Sequence, residues 1–329
     1  MNFQQLPKIE LHLHLDCSLS YDVVRKIDAS ISPADFREKF IAPAKCRDLA
    51  DYLTRAPQGF ALMQTERQLQ LVTRDLFDQL QRDSVIYAEI RFAPLQHLQK
   101  GLTPENVVEI VEQATAAAIR ETGIEARLIL CTLRHFSEAQ SLQTVKLVER
   151  FRGTTVAGFD IAADEAGYPI DAHIAAFRYA CDRKIPRTAH AGEARGPESV
   201  WETLKNFCPS RIGHGVRSIE DPRLIEHLKT AGIHLEVCPS CNVQIDIVDQ
   251  YADHPIDKLY RAGVSVGVNT DTRTITNITL TQEYQKLHQT FGWTAAHFLH
   301  CNLNAIRAAF IPEKLKQALS RKVRGAYRG

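Results

Sequence analysis

Eight short runs of apolar and β-branched residues recur along this chain, and longer stretches of helical period lie between them. The runs fall at Ile9–Leu15, Val85–Phe92, Ala126–Leu133, Val156–Ala162, Arg187–His190, Arg211–His214, His234–Val237 and Val264–Val268. Strands that alternate with helices pair in parallel through right-handed crossovers. Eight such units are the number that closes a parallel barrel. The expected fold is therefore α/β, a (β/α)8 TIM barrel.

The intervening segments carry helix signals. Thr103-Pro-Glu-Asn106 places an N-cap before a proline at the first helical position, and Val107, Val108 and Val111 supply an apolar face. Ser137–Arg150, Asp171–Asp182, Glu198–Phe207 and Asp221–Thr230 read the same way. The first crossover is unlike the rest. Roughly seventy residues separate Leu15 from Val85, far above an ordinary connection. Leu49–Leu53 and Leu69–Leu80 have helical spacing, so a helical insert after strand 1 is expected, placed to act as a lid. No linker rich in Gly, Ser or Pro interrupts the chain, so residues 1–329 read as a single domain.

Composition narrows the function classes. The formal net charge is +1, so no global field recruits nucleic acid or an anionic membrane. No apolar run is long enough to span a bilayer, and Met1–Lys8 lacks the pattern of a signal peptide. Eight scattered cysteines give no disulfide-framework density, which points to reduced thiols and a cytoplasmic location.

Chemistry-bearing residues collect where the runs stop. His12 and His14 lie two apart, so on a strand both rings face one side. His190 stands three residues before Glu193, across Gly192. His214 sits between Gly213 and Gly215, and Asp271 follows the run Val264–Val268. Singly, each has a plainer reading: a hydrogen-bonded core histidine, a helix-capping Glu193, a turn built by glycine, an N-cap aspartate. His214 reads either as a further ligand or as a general base. Together, histidines and a carboxylate at the ends of strands one, five, six and eight suit Zn²⁺ or a similar ion. His234-Leu-Glu236 followed by Cys238-Pro-Ser-Cys241 superficially matches a cytidine-type zinc deaminase or a redox pair. The two halves nearly touch and no proline precedes Cys238, so a strand end followed by a loop is the preferred reading.

Several motifs in order resemble the adenosine deaminase family of the amidohydrolase superfamily. They are Pro7–Asp16, Tyr87–Pro94, Gly158–Glu165, Thr188–Glu193, Arg211–Val216, Val237–Pro239 with Asn242, and Asn269–Asp271. The resemblance implies a barrel holding one Zn²⁺ through His12, His14, His190 and Asp271. It implies that Glu193 gives a proton to purine N1 and that His214 orients the attacking water. His14 and Asp16 would face the substrate, with Asp16 on a ribose hydroxyl and the Ala163 N–H at a ring nitrogen.

Three positions depart from the family pattern. Cys17 and Ala163 stand where glycine is usual, and Thr272-Arg273 replaces a usual Asp-Pro. Thr272 would then meet purine N7 through a hydroxyl. The implied reaction is hydrolytic deamination of adenosine or 2′-deoxyadenosine, a purine-salvage activity on a small nucleoside. Adenine and modified adenine nucleosides are the alternatives, and a non-catalytic nucleoside- or protein-binding relative is a third. AMP is disfavoured because no phosphate-binding loop is evident. A dinuclear hydrolase is disfavoured because Val156–Ala162 has no bridging lysine. The sequence does not fix the oligomeric state.

Overall fold

The computed structural model describes residues 2–327. Its strands are β1 (Lys8–His14), β2 (Val85–Phe92), β3 (Glu125–Leu133), β4 (Val156–Ala162), β5 (His190–Ala191), β6 (Arg211–His214), β7 (His234–Val237) and β8 (Ser265–Val268). All ladder pairs are parallel, in two arcs ordered β1-β2-β3-β4 and β5-β6-β7-β8. Two narrow seams join the arcs. At one, Phe159 N–H bonds Pro186 O and Thr188 N–H bonds Phe159 O. At the other, His14 N–H donates to Asp271 O at 2.8 Å and Asp271 N–H donates to His12 O at 3.1 Å. These bonds close the α/β barrel expected from the eight runs. The fifth run is the one difference. Only His190–Ala191 pairs as a regular strand; Arg187 meets Phe159 in an isolated bridge, while its carbonyl accepts the Ser210 N–H.

Helices α6 (Pro104–Thr122), α7 (Glu138–Arg150), α8 (Ile174–Asp182), α9 (Pro197–Phe207), α10 (Pro222–Thr230), α11 (Pro239–Gln244) and α12 (Ile256–Arg261) fill the later crossovers, and α13 (Leu280–Phe291), α14 (Ala295–Ala308) and α15 (Glu313–Ala326) follow β8. Thr103 and Ser137 cap α6 and α7 with reciprocal capping boxes. Side-chain oxygens thus satisfy amide groups that a helix start leaves orphaned.

Between β1 and β2 lie α1 (Tyr21–Ile27), α2 (Pro33–Lys39), α3 (Leu49–Leu53), α4 (Ala56–Ala61) and α5 (Glu66–Arg82). This insert is bound to the barrel rim. Ala42 N–H bonds Ile275 O, Cys46 N–H bonds Gln244 O, and Lys45 pairs with Asp246 at 2.7 Å. The contact of α4 with the end of β1 needs a glycine. A Cβ on Gly59 would lie 2.2 Å from the Asp16 carbonyl oxygen, well inside contact distance.

Arg273 is buried away from the cavity at the barrel mouth. Its guanidinium pairs with Glu10 at 2.6 Å and Asp83 at 3.0 Å, joining β8, β1 and the turn after α5. Removing one partner from a buried ionic cluster strands the others without compensation. Arg273→Met keeps the aliphatic bulk but leaves two buried carboxylates unpaired. It is expected to lower unfolding free energy by about 3–5 kcal/mol, read from urea denaturation. A loss below about 1 kcal/mol, the range of an exposed pair, would refute this assignment.

Candidate active site

His12 and His14 leave β1 on one face, His190 starts β5, and Asp271 arrives through the seam. His12 Nε2 and His14 Nε2 lie 3.2 and 3.3 Å from Asp271 Oδ1, and His14 Nε2 lies 3.3 Å from His190 Nε2. Four ligands at the usual Zn–N and Zn–O bond lengths, set tetrahedrally, stand about 3.3 Å apart, so these spacings fit such an ion. One nitrogen at the centre is otherwise orphaned, since the buried His12 Nε2 has no hydrogen-bond partner. The donor set therefore fits a divalent metal and forms a possible metal site.

The outer ring nitrogens are held from behind. Glu236 on β7 lies 3.0 Å from His12 Nδ1, and Asp160 on β4 lies 3.2 Å from His190 Nδ1. A carboxylate there keeps the proton on Nδ1 and turns the Nε2 lone pair inward. Burial, with Arg91 and neighbouring rings, holds His12 well below the ordinary histidine range. Burial and His190 bring His14 down to about 3, so both rings are neutral near pH 7. Burial opposes ionisation of Asp160, but His190 and Arg91 outweigh it and hold its carboxyl below the usual range.

Gly213 makes room for this cage. A Cβ there would meet His12 Cε1 at 2.9 Å and His190 Cα at 3.3 Å, so β6 can pass beside the His12 ring and the His190 backbone only without a side chain. His214 and Asp271 have φ of +60° and +65°, and Ala163 has +80°. Left-handed conformations at non-glycine residues cost of order 1 kcal/mol or more and cluster where geometry is functional. Ala163 thus adopts a glycine-like conformation despite its methyl group.

Glu193 and His214 face each other beside the cage, with His214 Nε2 3.4 Å from Glu193 Oε1. Burial pushes the Glu193 carboxyl well above the usual range, and Asp271 and Glu165 add to the effect. Glu193 is no helix cap. It sits in a turn gripped by Glu165, whose carboxylate accepts the N–H groups of Gly192, Glu193, Ala194 and Arg195 and the Ser199 hydroxyl.

A relay fixes His214. Ile256 N–H donates to His254 Nδ1, so the His254 proton is on Nε2 and goes to Asn242 Oδ1. The Asn242 amide then donates to His214 Nδ1, which leaves the His214 proton on Nε2. A backbone amide of certain polarity thus sets the tautomer of a ring three links away.

These groups line one end of a cavity of about 500 Å³, roofed by α3 and α4 of the insert. Asp16, Cys17, Ala163 and Thr272 line it as well, and among the described residues no Lys or Arg does. Asp16 Oδ2 accepts the Ala93 N–H. Thr272 bonds the hydroxyls of Tyr52, from α3, and Thr276. The Cys238–Cys241 pair is neither a disulfide nor part of a His-x-Glu metal motif. Both thiols are free, and Cys241 donates to Asp271 Oδ2 at 2.9 Å. Glu236, passed over as part of that motif, is instead the support behind His12. Its signal, like that of Asp160 and Arg91, was an ionisable residue inside a buried parallel strand, where apolar side chains are the rule.

A parallel barrel with a histidine–aspartate cage and a buried acid–imidazole pair at its C-terminal rim has the architecture of metal-dependent hydrolases. The family model described as adenosine deaminase matches residues 7–326. The adenosine deaminase of Lacticaseibacillus paracasei is 37% identical over 97% of this chain and 96% of its own. That of Enterococcus faecalis is 35% identical over 98% of each. Among solved structures, the adenine deaminase of Arthrobacter aurescens superposes with a TM-score of 0.91 at 26% identity, covering 98% of this chain and 100% of that one. The chain belongs to the adenosine deaminase family.

The relay is directly measurable. Nitrogen NMR of labelled protein at neutral pH is expected to show His214 protonated at Nε2 and bare at Nδ1. The opposite tautomer would break the chain of donors from Ile256.

Proposed function

We propose that this protein is a metal-dependent aminohydrolase that converts adenosine and 2′-deoxyadenosine to their inosine counterparts and ammonia. The observation that carries the reading is a buried Glu193, its carboxyl held above the usual range by burial, beside His214 and the His12–His14–His190–Asp271 cage. Full-length likeness to adenosine deaminases supports it. One Zn²⁺ held by those four residues would supply a water that ionises near pH 7. Glu193 donates its proton to ring nitrogen N1, which draws electron density from C6 and makes that carbon electrophilic. His214, with its proton on Nε2, orients the incoming oxygen and assists the proton transfer that lets ammonia leave. The insert excludes bulk water from this step.

Asp16 accepts a ribose hydroxyl, Ala163 N–H meets a ring nitrogen, and the Thr272 hydroxyl meets N7. Asp16 favours a nucleoside over adenine, which has no ribose to hold. A cavity wall that has no Lys or Arg among the described residues favours a nucleoside over AMP, because no cation there offsets the desolvation of a phosphate.

Ammonia release from adenosine, 2′-deoxyadenosine, adenine, AMP and modified adenosines tests this. Selective turnover of the nucleosides is expected. Turnover of adenine alone would overturn the role of Asp16, and failure of every substrate with zinc bound would overturn catalysis. Glu193→Gln is expected to lower kcat by about 10²–10⁴-fold with unchanged zinc content, and near wild-type turnover would remove Glu193 as proton donor. Asp160→Asn is expected to weaken zinc binding by about 10–100-fold in chelator competition. An unchanged affinity would show that the Asp160 carboxylate does not prepare His190.

A further inference from the structure

Asp271 divides its two carboxylate oxygens. Oδ1 lies among the histidines, 3.2 Å from His12 Nε2 and 3.3 Å from His14 Nε2. Oδ2 accepts the Cys241 thiol at 2.9 Å. One ligand atom each from Glu193, Cys241 and Asp271 lie within 4.8 Å of one another, and all three residues are buried. Beside them His214 Nε2, 3.4 Å from Glu193 Oε1, is buried with no hydrogen-bond partner. Neither the zinc cage nor the proton-transfer scheme uses Cys241.

We propose that Cys241 Sγ, Asp271 Oδ2 and the Glu193 carboxylate form a second cation site, taking a thiophilic divalent ion such as Zn²⁺ or Cd²⁺ and shutting the enzyme down when filled. The inference rests on the reading of the histidine cage as the first metal site and of Glu193 as the proton donor. Thiolate and carboxylate ligands at ordinary zinc distances stand about 3.3–3.7 Å apart, so Cys241 and Asp271, now 2.9 Å apart, need open by only about half an ångström, and Glu193, within 4.8 Å of them, need draw in by about an ångström. Asp271 would then bridge two ions, as carboxylates do where metals sit about 3.5–4 Å apart. The fourth position is left to a water that accepts the His214 Nε2–H.

Binding involves no redox step. The Cys241 thiol and the Glu193 carboxyl each release one proton to solvent, and a sulfur–metal and an oxygen–metal bond form in their place. Glu193 then has no proton to give to N1 and is fixed away from the substrate. The second ion is inhibitory for this reason, unlike the paired ions of a dinuclear hydrolase.

The test begins with protein carrying one equivalent of Zn²⁺ and adds Cd²⁺, following thiolate-to-metal charge-transfer absorbance, bound metal and adenosine turnover. Wild-type protein is expected to take up a further ion with a thiolate band, and turnover is lost in step with it. Cys241→Ser keeps a hydroxyl for Asp271 but removes the soft ligand. It is expected to lose that band and the matched inhibition, each judged against the variant's own one-equivalent activity. Cys241→Ala serves if the serine variant folds poorly. The exposed thiols of Cys181 and Cys208 are common to all three proteins, so the difference reports Cys241.

Glu193→Gln, followed by absorbance alone, is expected to bind the second Cd²⁺ more weakly. Identical titrations of wild type and Cys241→Ser would overturn the site. A Cys241-dependent band without loss of turnover would overturn its inhibitory action. If the singly loaded protein does not deaminate adenosine, the functional reading fails, while the band difference still decides whether the site exists.

Discussion

Glu236 is the hinge of the molecule's chemistry. It is wholly buried inside the barrel, where its two oxygens lie 2.7 Å from Arg91 Nη2, 2.7 Å from Arg211 Nε, 3.0 Å from His12 Nδ1 and 3.0 Å from Thr188 Oγ1. Arg91 continues to Asp160 and Arg211 to Glu89. Barrel interiors are usually filled with branched apolar side chains. A charged layer persists there only when every member is paired, because the desolvation of each ion costs several kcal/mol. The layer is therefore a poor source of stability. It delivers fixed proton positions instead, since Glu236 and Asp160 set the tautomers of His12 and His190 from below. The histidine–aspartate cage inherits its orientation from this layer.

Barrel closure and site assembly are one event at Asp271. Its backbone makes the seam between β8 and β1, and its side chain meets the two histidines of β1. A register slip at that seam would separate the carboxylate from His12 and His14 as well as open the sheet. The left-handed conformation of Asp271, shared by His214, lies in the turns that aim these side chains over the barrel axis. Strain at these points is held by the strands on either side: His214 is the last paired residue of β6, and Asp271 is bridged to Leu13 just past β8.

The ends of strands were legible in the sequence because two different signals coincide there. An apolar run sets the strand, and a His or Asp in an abrupt break of that run stands out against it. His12, His14, His190, His214 and Asp271 were visible for this reason, and the alternation of runs and helices made the barrel visible with them. The supports were harder to see. Asp160, Glu236 and Arg91 lie within strands, where one polar residue reads as a flaw in a pattern, and their meaning depends on partners as far as 224 positions away. Arg273 was noticed only as a departure, and its burial between Glu10 and Asp83 is a tertiary fact. Glu165 gives no local hint that its carboxylate gathers four backbone amides from another loop. The Cys238–Cys241 spacing pointed to a redox or metal motif, while the structure pairs Cys241 with Asp271.

Thr272 shows how a departure from a family pattern is absorbed. Its hydroxyl meets those of Tyr52 and Thr276, and Tyr52 also lies 2.7 Å from Thr276. Three hydroxyls have three protons, and a closed ring of three hydrogen bonds uses all of them. The cavity then faces lone pairs on Thr272. A ligand group that donates is accepted with the ring intact, whereas purine N7, an acceptor, takes a proton only by breaking one ring bond, at about 1 kcal/mol. The ring's main physical effect is to fasten α3 of the insert to the loop that carries Asp271. Thr272 thus helps to hold the roof over the cavity.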